Sequence, residues 1–185
     1  PANRSAKAEV DIRPPKQSAI IVDGYNIIFA WEELAEQAKH DLDAARRRLC
    51  DILSSFAGFK KCYLVLVFDG WKVKGNPGSV EKYKNIHIVY TKEAETADMY
   101  IEKVTHQIAK NHRVRVATSD GLEQVIILGH GAMRMSASNL KEEVNEIEPI
   151  VEENEVQVEE PVTMELPAVE PIIEKEEPRE PEFVS

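Results

Sequence analysis

The stretch Ala19 to Gly24, AIIVDG, is a short β-branched apolar run that stops abruptly at an acid and a glycine. A run of this length without polar alternation marks a strand buried on both faces. The same figure returns at Tyr63–Gly70 (YLVLVFDG) and at Val114–Gly121 (VRVATSDG), and Ile86–Tyr90 (IHIVY) adds a further strand. Met133–Met135 reads as a last, short one. Helical patterns fill the intervals. One passes through Ile27, Ile28, Trp31 and Leu34, and another runs from Asp41 to Phe56 with Leu42, Ala45, Leu49, Ile52, Leu53 and Phe56 on one stripe. A third spans about Thr96–Asn111, a fourth passes through Val125 and Leu128, and a fifth runs from a capping Ser138 to about Ile147. Residues 71–85, rich in Gly, Pro, Lys and Asn, read as a loop. Short apolar strands alternating with helices predict one α/β domain over residues 18–147, built on a mainly parallel sheet.

Outside that domain the composition changes. The 185-residue chain carries a formal net charge of −10, but residues 141–185 hold 16 acids against 3 bases. The difference leaves residues 1–140 at +3. Six of the ten prolines follow residue 148, and no glycine does. Such a stretch buries too little apolar surface to offset chain entropy, so residues 148–185 are expected to form a disordered acidic tail. Its interspersed Val, Ile, Leu and Phe leave open a partner-binding arm. Residues 1–17 read as a linker. The chain begins at Pro1 without an initiator Met, as either a processed chain or a piece of a longer protein would.

Several classes of function drop out. No run reaches the ~18 apolar residues of a membrane span, and no secretory signal is present; a cytoplasmic protein is the expectation. Cys50 and Cys62 match no zinc or disulfide framework. There is no phosphate-binding GxxxxGK[ST], no GxGxxG and no GxSxG.

What remains is a set of acids. In a parallel sheet joined by right-handed crossovers, the strands' carboxyl ends share one edge, where such folds bind ligands. Asp23, Asp69 and Asp120 each close a strand at that edge. Singly, each is an ordinary turn residue. Together their carboxylates would repel, and a hard divalent cation, Mg²⁺ or Mn²⁺, relieves the repulsion. Asp98 opens the third-strand helix at the same edge, although interaction with the helix dipole would also place it there. Glu95 precedes that helix and is a further ligand or a general base. Asn26 is either a helix cap or a group that orients water or phosphate. A carboxylate-bound cation suits phosphodiester hydrolysis. Lys72, Lys74, Lys82 and Lys84, interleaved with Trp71 and Tyr83, follow Asp69 and suit a nucleic-acid strand, or else form a solvated loop. Arg134 is a further basic candidate.

At these residues a family resemblance emerges. VDGYNIIF at 22–29, FDG at 68–70, ETADMYIE at 95–102, ATSDGLEQ at 117–124 and GAMRMSASNL at 131–140 together resemble the YacP-like branch of the NYN domain family. The resemblance implies a three-layer α/β/α, PIN-like nuclease domain, a Mg²⁺ or Mn²⁺ cofactor and endonucleolytic cleavage of RNA. Members of this branch include a bacterial endoribonuclease that cuts mRNA on the translating ribosome, so mRNA and the ribosome are the implied partners. By matching motif, Asp23, Asn26, Asp98 and Asp120 carry the implied catalytic roles, and Asp69 falls on FDG. Two other readings stay open: a catalytically weak RNA- or ribosome-binding module, and a carrier domain for a functional tail.

Overall fold

The computed structural model of the chain describes residues 16–70, 77–119, 131–153 and 166–167. Its elements in chain order are β1 (Gln17–Asp23), α1 (Gly24–Ala30), α2 (Glu32–His40), α3 (Leu42–Lys60), β2 (Tyr63–Phe68), β3 (Ser79–Tyr83), β4 (Ile86–Tyr90), α4 (Ala97–Ile108), β5 (His112–Ala117), β6 (Met133–Met135) and α5 (Ala137–Glu153). The linker at 1–15 and the helix expected through Val125 and Leu128 lie outside the described residues, as do Lys72, Lys74 and Asp120.

The strands form one sheet in the order β3-β4-β2-β1-β5-β6. Every pairing is parallel except β3 with β4. The apolar runs are continuous because both faces are covered. Ile20, Val22, Leu64, Leu66 and Phe68 face α1, α2, α3 and α5, while Ala19, Ile21, Val65 and Val67 face the Tyr100/Ile101/Val104/Ile108 stripe of α4. This is the expected three-layer α/β/α arrangement. From β1 the chain steps to β2 and β4 on one side, then returns through α4 to β5 on the other. Strand order therefore reverses between β1 and β5, the kind of position where α/β sheets open a binding crevice.

Four details differ from the sequence expectations. The first helical pattern is two helices: Trp31 is extended (φ −92°, ψ 117°) between α1 and α2. Its indole is buried and donates to the Ala137 carbonyl at 2.9 Å, which fixes the start of α5. That start is capped by Ser136, whose Oγ accepts from the Asn139 N–H at 3.0 Å, rather than by Ser138. Within the expected loop, residues 79–83 form edge strand β3, which turns back into β4 through Lys84 at φ 50°. Its Ser-Val-Glu-Lys-Tyr sequence hides the strand because charge on an edge strand discourages unwanted pairing.

The fourth difference concerns the tail. α5 continues to Glu153, past the boundary expected at 147. Leu166 then packs against the α4-side cluster, and the Tyr100 hydroxyl donates to the Pro167 carbonyl at 3.0 Å. Leu166 and Pro167 thus tie the acidic segment to the domain, and the rest of the expected tail after Glu153 lies outside the described residues. No helix among the described residues is long and apolar enough to cross a membrane. Both cysteines are free, and burial pushes each thiol up to about 11, so neither is a ready nucleophile.

Ending the chain after residue 153, or making Leu166→Ala, should each cost about 1–2 kcal/mol from lost apolar burial, with the truncation also losing the hydrogen bond. Thermal melts would read this as a fall of roughly 2–8 °C. An unchanged melting temperature for both would show that the contact adds nothing to folding.

Candidate functional site

The carboxyl ends of β2, β1 and β5 lie side by side. Asp23 is level with Val67 of β2, and Val22 is level with Ala117 of β5. At a strand spacing of ~4.8 Å, groups closing β2 and β5 stand roughly 10 Å apart across Asp23. Asp23 itself is buried, at 8% exposure, and its side chain does not cap α1. A turn residue would have spent its carboxylate there. This acid is placed at the strand-order reversal without that local role.

Asn26 does not cap a helix either. Its Oδ1 accepts from both the N–H and the hydroxyl of Ser119, each at 2.5 Å. The side chain therefore ties α1 to the end of β5, across the reversal point. With Oδ1 bonded to Ser119, the amide plane of this half-buried residue is fixed. Ser119 immediately precedes Asp120, which lies outside the described residues.

Asp69 performs a different task. Its Oδ1 accepts from the Ala97 N–H at 3.0 Å and from the Thr91 hydroxyl at 3.5 Å. Thr91 Oγ1 in turn accepts from the Gly70 N–H, and the Thr91 N–H donates to the Phe68 carbonyl, both at 3.0 Å. The carboxylate thus pins the first turn of α4 to the end of β2, while Thr96 caps the same helix through the Met99 N–H. Thr91 went unnoticed in the sequence, although a hydroxyl directly after an apolar strand was its available sign. Burial raises the Asp69 carboxyl above its ordinary value against the opposing hydrogen bonds.

The α4 start carries the two remaining acids. Asp98 is exposed in its first turn, away from the buried stripe. Glu95 is almost fully buried; its Oε2 receives Lys103 Nζ at 3.2 Å, and its Oε1 has no hydrogen-bond partner among the described residues. A buried carboxylate oxygen without a partner is costly, and one at a cluster of hard oxygen donors suits a divalent cation. Among the described residues alone, no three His, Cys, Asp or Glu side chains already converge on one cation position. Carboxylate oxygens are the donor type that suits Mg²⁺ or Mn²⁺, and Asp120 lies outside the described residues.

The two described lysines of the set, Lys82 and Lys84, are placed elsewhere. β3 runs antiparallel to β4, with Lys82 level with His87 near the β4 start. Lys84 follows at the hairpin turn, bonded to Asp51 at 2.9 Å and lying over the Tyr83 ring. Lys82 and Lys84 therefore sit at the opposite end of the sheet from the acids, because the hairpin carries the chain away from Asp69. His87 packs against Tyr63, and burial, aided by Lys82, lowers its pKa. Arg134 is exposed in the middle of edge strand β6, level with Val116. Arg46 on α3 donates to the Tyr25 hydroxyl at 2.7 Å.

This arrangement has known relatives. Residues 20–177 match the YacP-like NYN domain. The chain belongs to the YacP-like NYN domain family. It is 37% identical over 137 residues to the uncharacterized protein YacP of Bacillus subtilis (strain 168), covering 72% of this chain and 78% of that one. It also resembles the crystal structure of Rae1 (YacP) from Bacillus subtilis, with a TM-score of 0.63 and 34% identity over 74% of this chain and 79% of the other. A single-residue variant of that protein gives 0.65 and 33%, over 74% and 80%. NYN family membership implies a nuclease-like, RNA-related function. The match extends 30 residues past 147, so it takes in the Leu166–Pro167 anchor as well as the sheet.

Two substitutions test how the site is held. A Cβ on Gly24 would lie 2.4 Å from the Phe68 ring, itself wedged between Tyr25 and Tyr90. Gly24→Ala should therefore cost about 1–3 kcal/mol, read in denaturant unfolding. For Asp69, a folded pKa above the unfolded one makes its contribution full at low pH and lost as pH rises through the folded value. In metal-free buffer Asp69→Asn keeps the acceptor for Ala97, so its stability relative to wild type should improve from pH 3.5 to 7. Asp69→Ala lacks that acceptor and should lose about 0.5–2 kcal/mol. Parallel pH–stability curves for wild type and Asp69→Asn would refute the assignment.

Proposed function

We propose that this chain is a metal-dependent endoribonuclease that hydrolyses RNA phosphodiesters at the carboxyl edge of its sheet. The observation that carries this reading is Asp23, buried at the strand-order reversal without a capping role, beside an Asn26 that joins α1 to β5. NYN family membership supplies the RNA-directed class of chemistry. Asp23, Asp98 and Asp120 would hold the cation, with Glu95 close by at the α4 start. When bound, Mg²⁺ or Mn²⁺ supplies Lewis acidity and charge neutralisation at a phosphodiester.

The chain's own groups do the positioning. Asn26 Nδ2 donates to a phosphate oxygen or to the attacking water, from a side chain already immobilised through Oδ1. Among the described residues, Glu95 Oε1 is the one buried carboxylate oxygen without a hydrogen-bond partner, which suits it to accept a proton or a ligand bond. Asp69 fixes the α4 start, and so the reach of Asp98, without touching RNA. Arg134 contributes phosphate contact from the β6 side. The RNA is read as mRNA, engaged in the cytoplasm and on the ribosome, in keeping with the family resemblance.

Purified protein should cleave single-stranded RNA with Mg²⁺ or Mn²⁺ and stop with EDTA. Asp23→Asn should lower the rate by about 10²–10³-fold or more, the scale for losing one preorganised electrostatic group. The same variant should melt at or above the wild-type temperature, since it loses a buried charge among like charges. Cleavage at the wild-type rate by Asp23→Asn would overturn the proposal. Adding ribosomes should raise the rate on mRNA; no change would confine the activity to free RNA.

A further inference from the structure

The exposed face of α1 carries an aromatic that folding does not use. Phe29 is 58% exposed, whereas Ile27 and Ile28 beside it are fully buried. Residues three and four apart share a helix face, so Phe29 lies with Asn26 and Tyr25. Its ring stacks on Tyr25, with centroids 6.4 Å apart and planes at 24°. Tyr25 leans in turn on Phe68 at 5.1 Å, and Phe68 stacks on Tyr90 at 5.6 Å. Arg46 clamps the Tyr25 hydroxyl. Phe29 is thus the outer end of an aromatic ladder whose inner rungs are fixed in the core. The other large exposed apolar residues among those described, Val80, Met99 and Met133, are aliphatic and lie on other elements.

We infer that Phe29, backed by Tyr25, is a stacking platform for one base of single-stranded RNA lying over the strand ends. The inference rests on reading this edge as the RNA site, and deepens it by naming how a base is held. Three features select a nucleobase over an aliphatic partner. The ring presents a free π-face beside solvent. It sits one helical turn from Asn26, whose amide is held at the end of β5 and carries donors suited to an adjoining phosphate. The Arg46 guanidinium, itself paired with Asp43, holds the Tyr25 hydroxyl, so the rung behind Phe29 is rigid when a base stacks on it. Stacking on a single ring tolerates any base, so the platform sets where the strand lies rather than its sequence.

The test uses the full chain with EDTA and a labelled single-stranded oligoribonucleotide, followed by fluorescence anisotropy. Phe29→Ala should weaken binding by about 5- to 100-fold, the value of one stacked base, with an unchanged melting temperature because the side chain fills no core space. Phe29→Trp should bind as wild type or tighter, and Phe29→Leu should behave like Ala. An abasic site moved along the oligonucleotide should weaken wild-type binding at one position and leave Phe29→Ala unaffected there. Equal affinity for wild type and Phe29→Ala, retention by Leu, additive losses with the abasic site, or no RNA binding by wild type would each overturn the inference. Because no cleavage is read, the two proposals separate. If Asp23→Asn still cleaves while Phe29→Ala binds poorly, the catalytic reading falls and the platform stands. If Asp23→Asn is inactive while Phe29→Ala binds normally, the reverse holds.

Discussion

The site depends on how closely α1 can leave the end of β1. Gly24 has no Cβ, and the space a Cβ would need is occupied by the ring of Phe68. That contact brings the first helical turn directly over the neighbouring strand. It sets Asp23 at the mouth of the sheet, turns Tyr25 onto Phe68 and points Asn26 at Ser119. The motifs around Asp23 and Asp69 are therefore one object, since the phenylalanine of the second fills the gap left by the glycine of the first. A side chain at residue 24 would push α1 outward and loosen all three contacts at once.

The same Asp-Gly figure serves different ends on different strands. After β2, Asp69 is consumed by backbone: it holds the α4 N-terminus, with Thr91 closing the loop behind it. After β1, Asp23 is buried but plays no part in capping α1. This division has an electrostatic reason. Several unneutralised carboxylates on one edge would raise one another's pKa and oppose folding. Committing Asp69 to N–H and O–H donors removes it from that competition, and Lys103 offsets Glu95 from the next turn of α4. The crowding that remains is borne by fewer groups, those nearest the reversal of strand order.

The central sheet was legible because its strands are buried on both faces and so read as unbroken apolar runs ended by an acid. Residues whose placement follows from that pattern alone, such as Asp23, Asp69 and Asp98, were found at once. What failed to show were features that depend on partners distant in sequence. Trp31 breaks a helical pattern because its indole reaches Ala137, and nothing local signals this. Lys82 and Lys84 looked adjacent to Asp69 because they follow it closely, yet a hairpin carries them to the other end of the sheet. Leu166 is one of several apolar residues scattered among glutamates without any period, and only its contact with the α4-side cluster distinguishes it. Phe29 stood in the sequence only as the end of VDGYNIIF, and its exposure emerges when Ile27 and Ile28 take the core.

The charge distribution limits how RNA can be held. Residues 1–140 carry only +3, and 141–185 carry −13. Because Leu166 and Pro167 dock beside Tyr100, one turn or less from the start of α4, the acidic segment is tethered to the helix that supports Asp98. Two of the four loop lysines, Lys82 and Lys84, lie at the far end of the sheet and add little positive potential beside the acids. Binding that cannot draw on counterion release must come from short-range contact. In the proposed reading, an immobilised amide at Asn26 and an exposed ring at Phe29 would be contacts of that kind, each acting once a flexible single strand has entered the crevice. A duplex, whose bases are already stacked on one another, could satisfy the first and not the second.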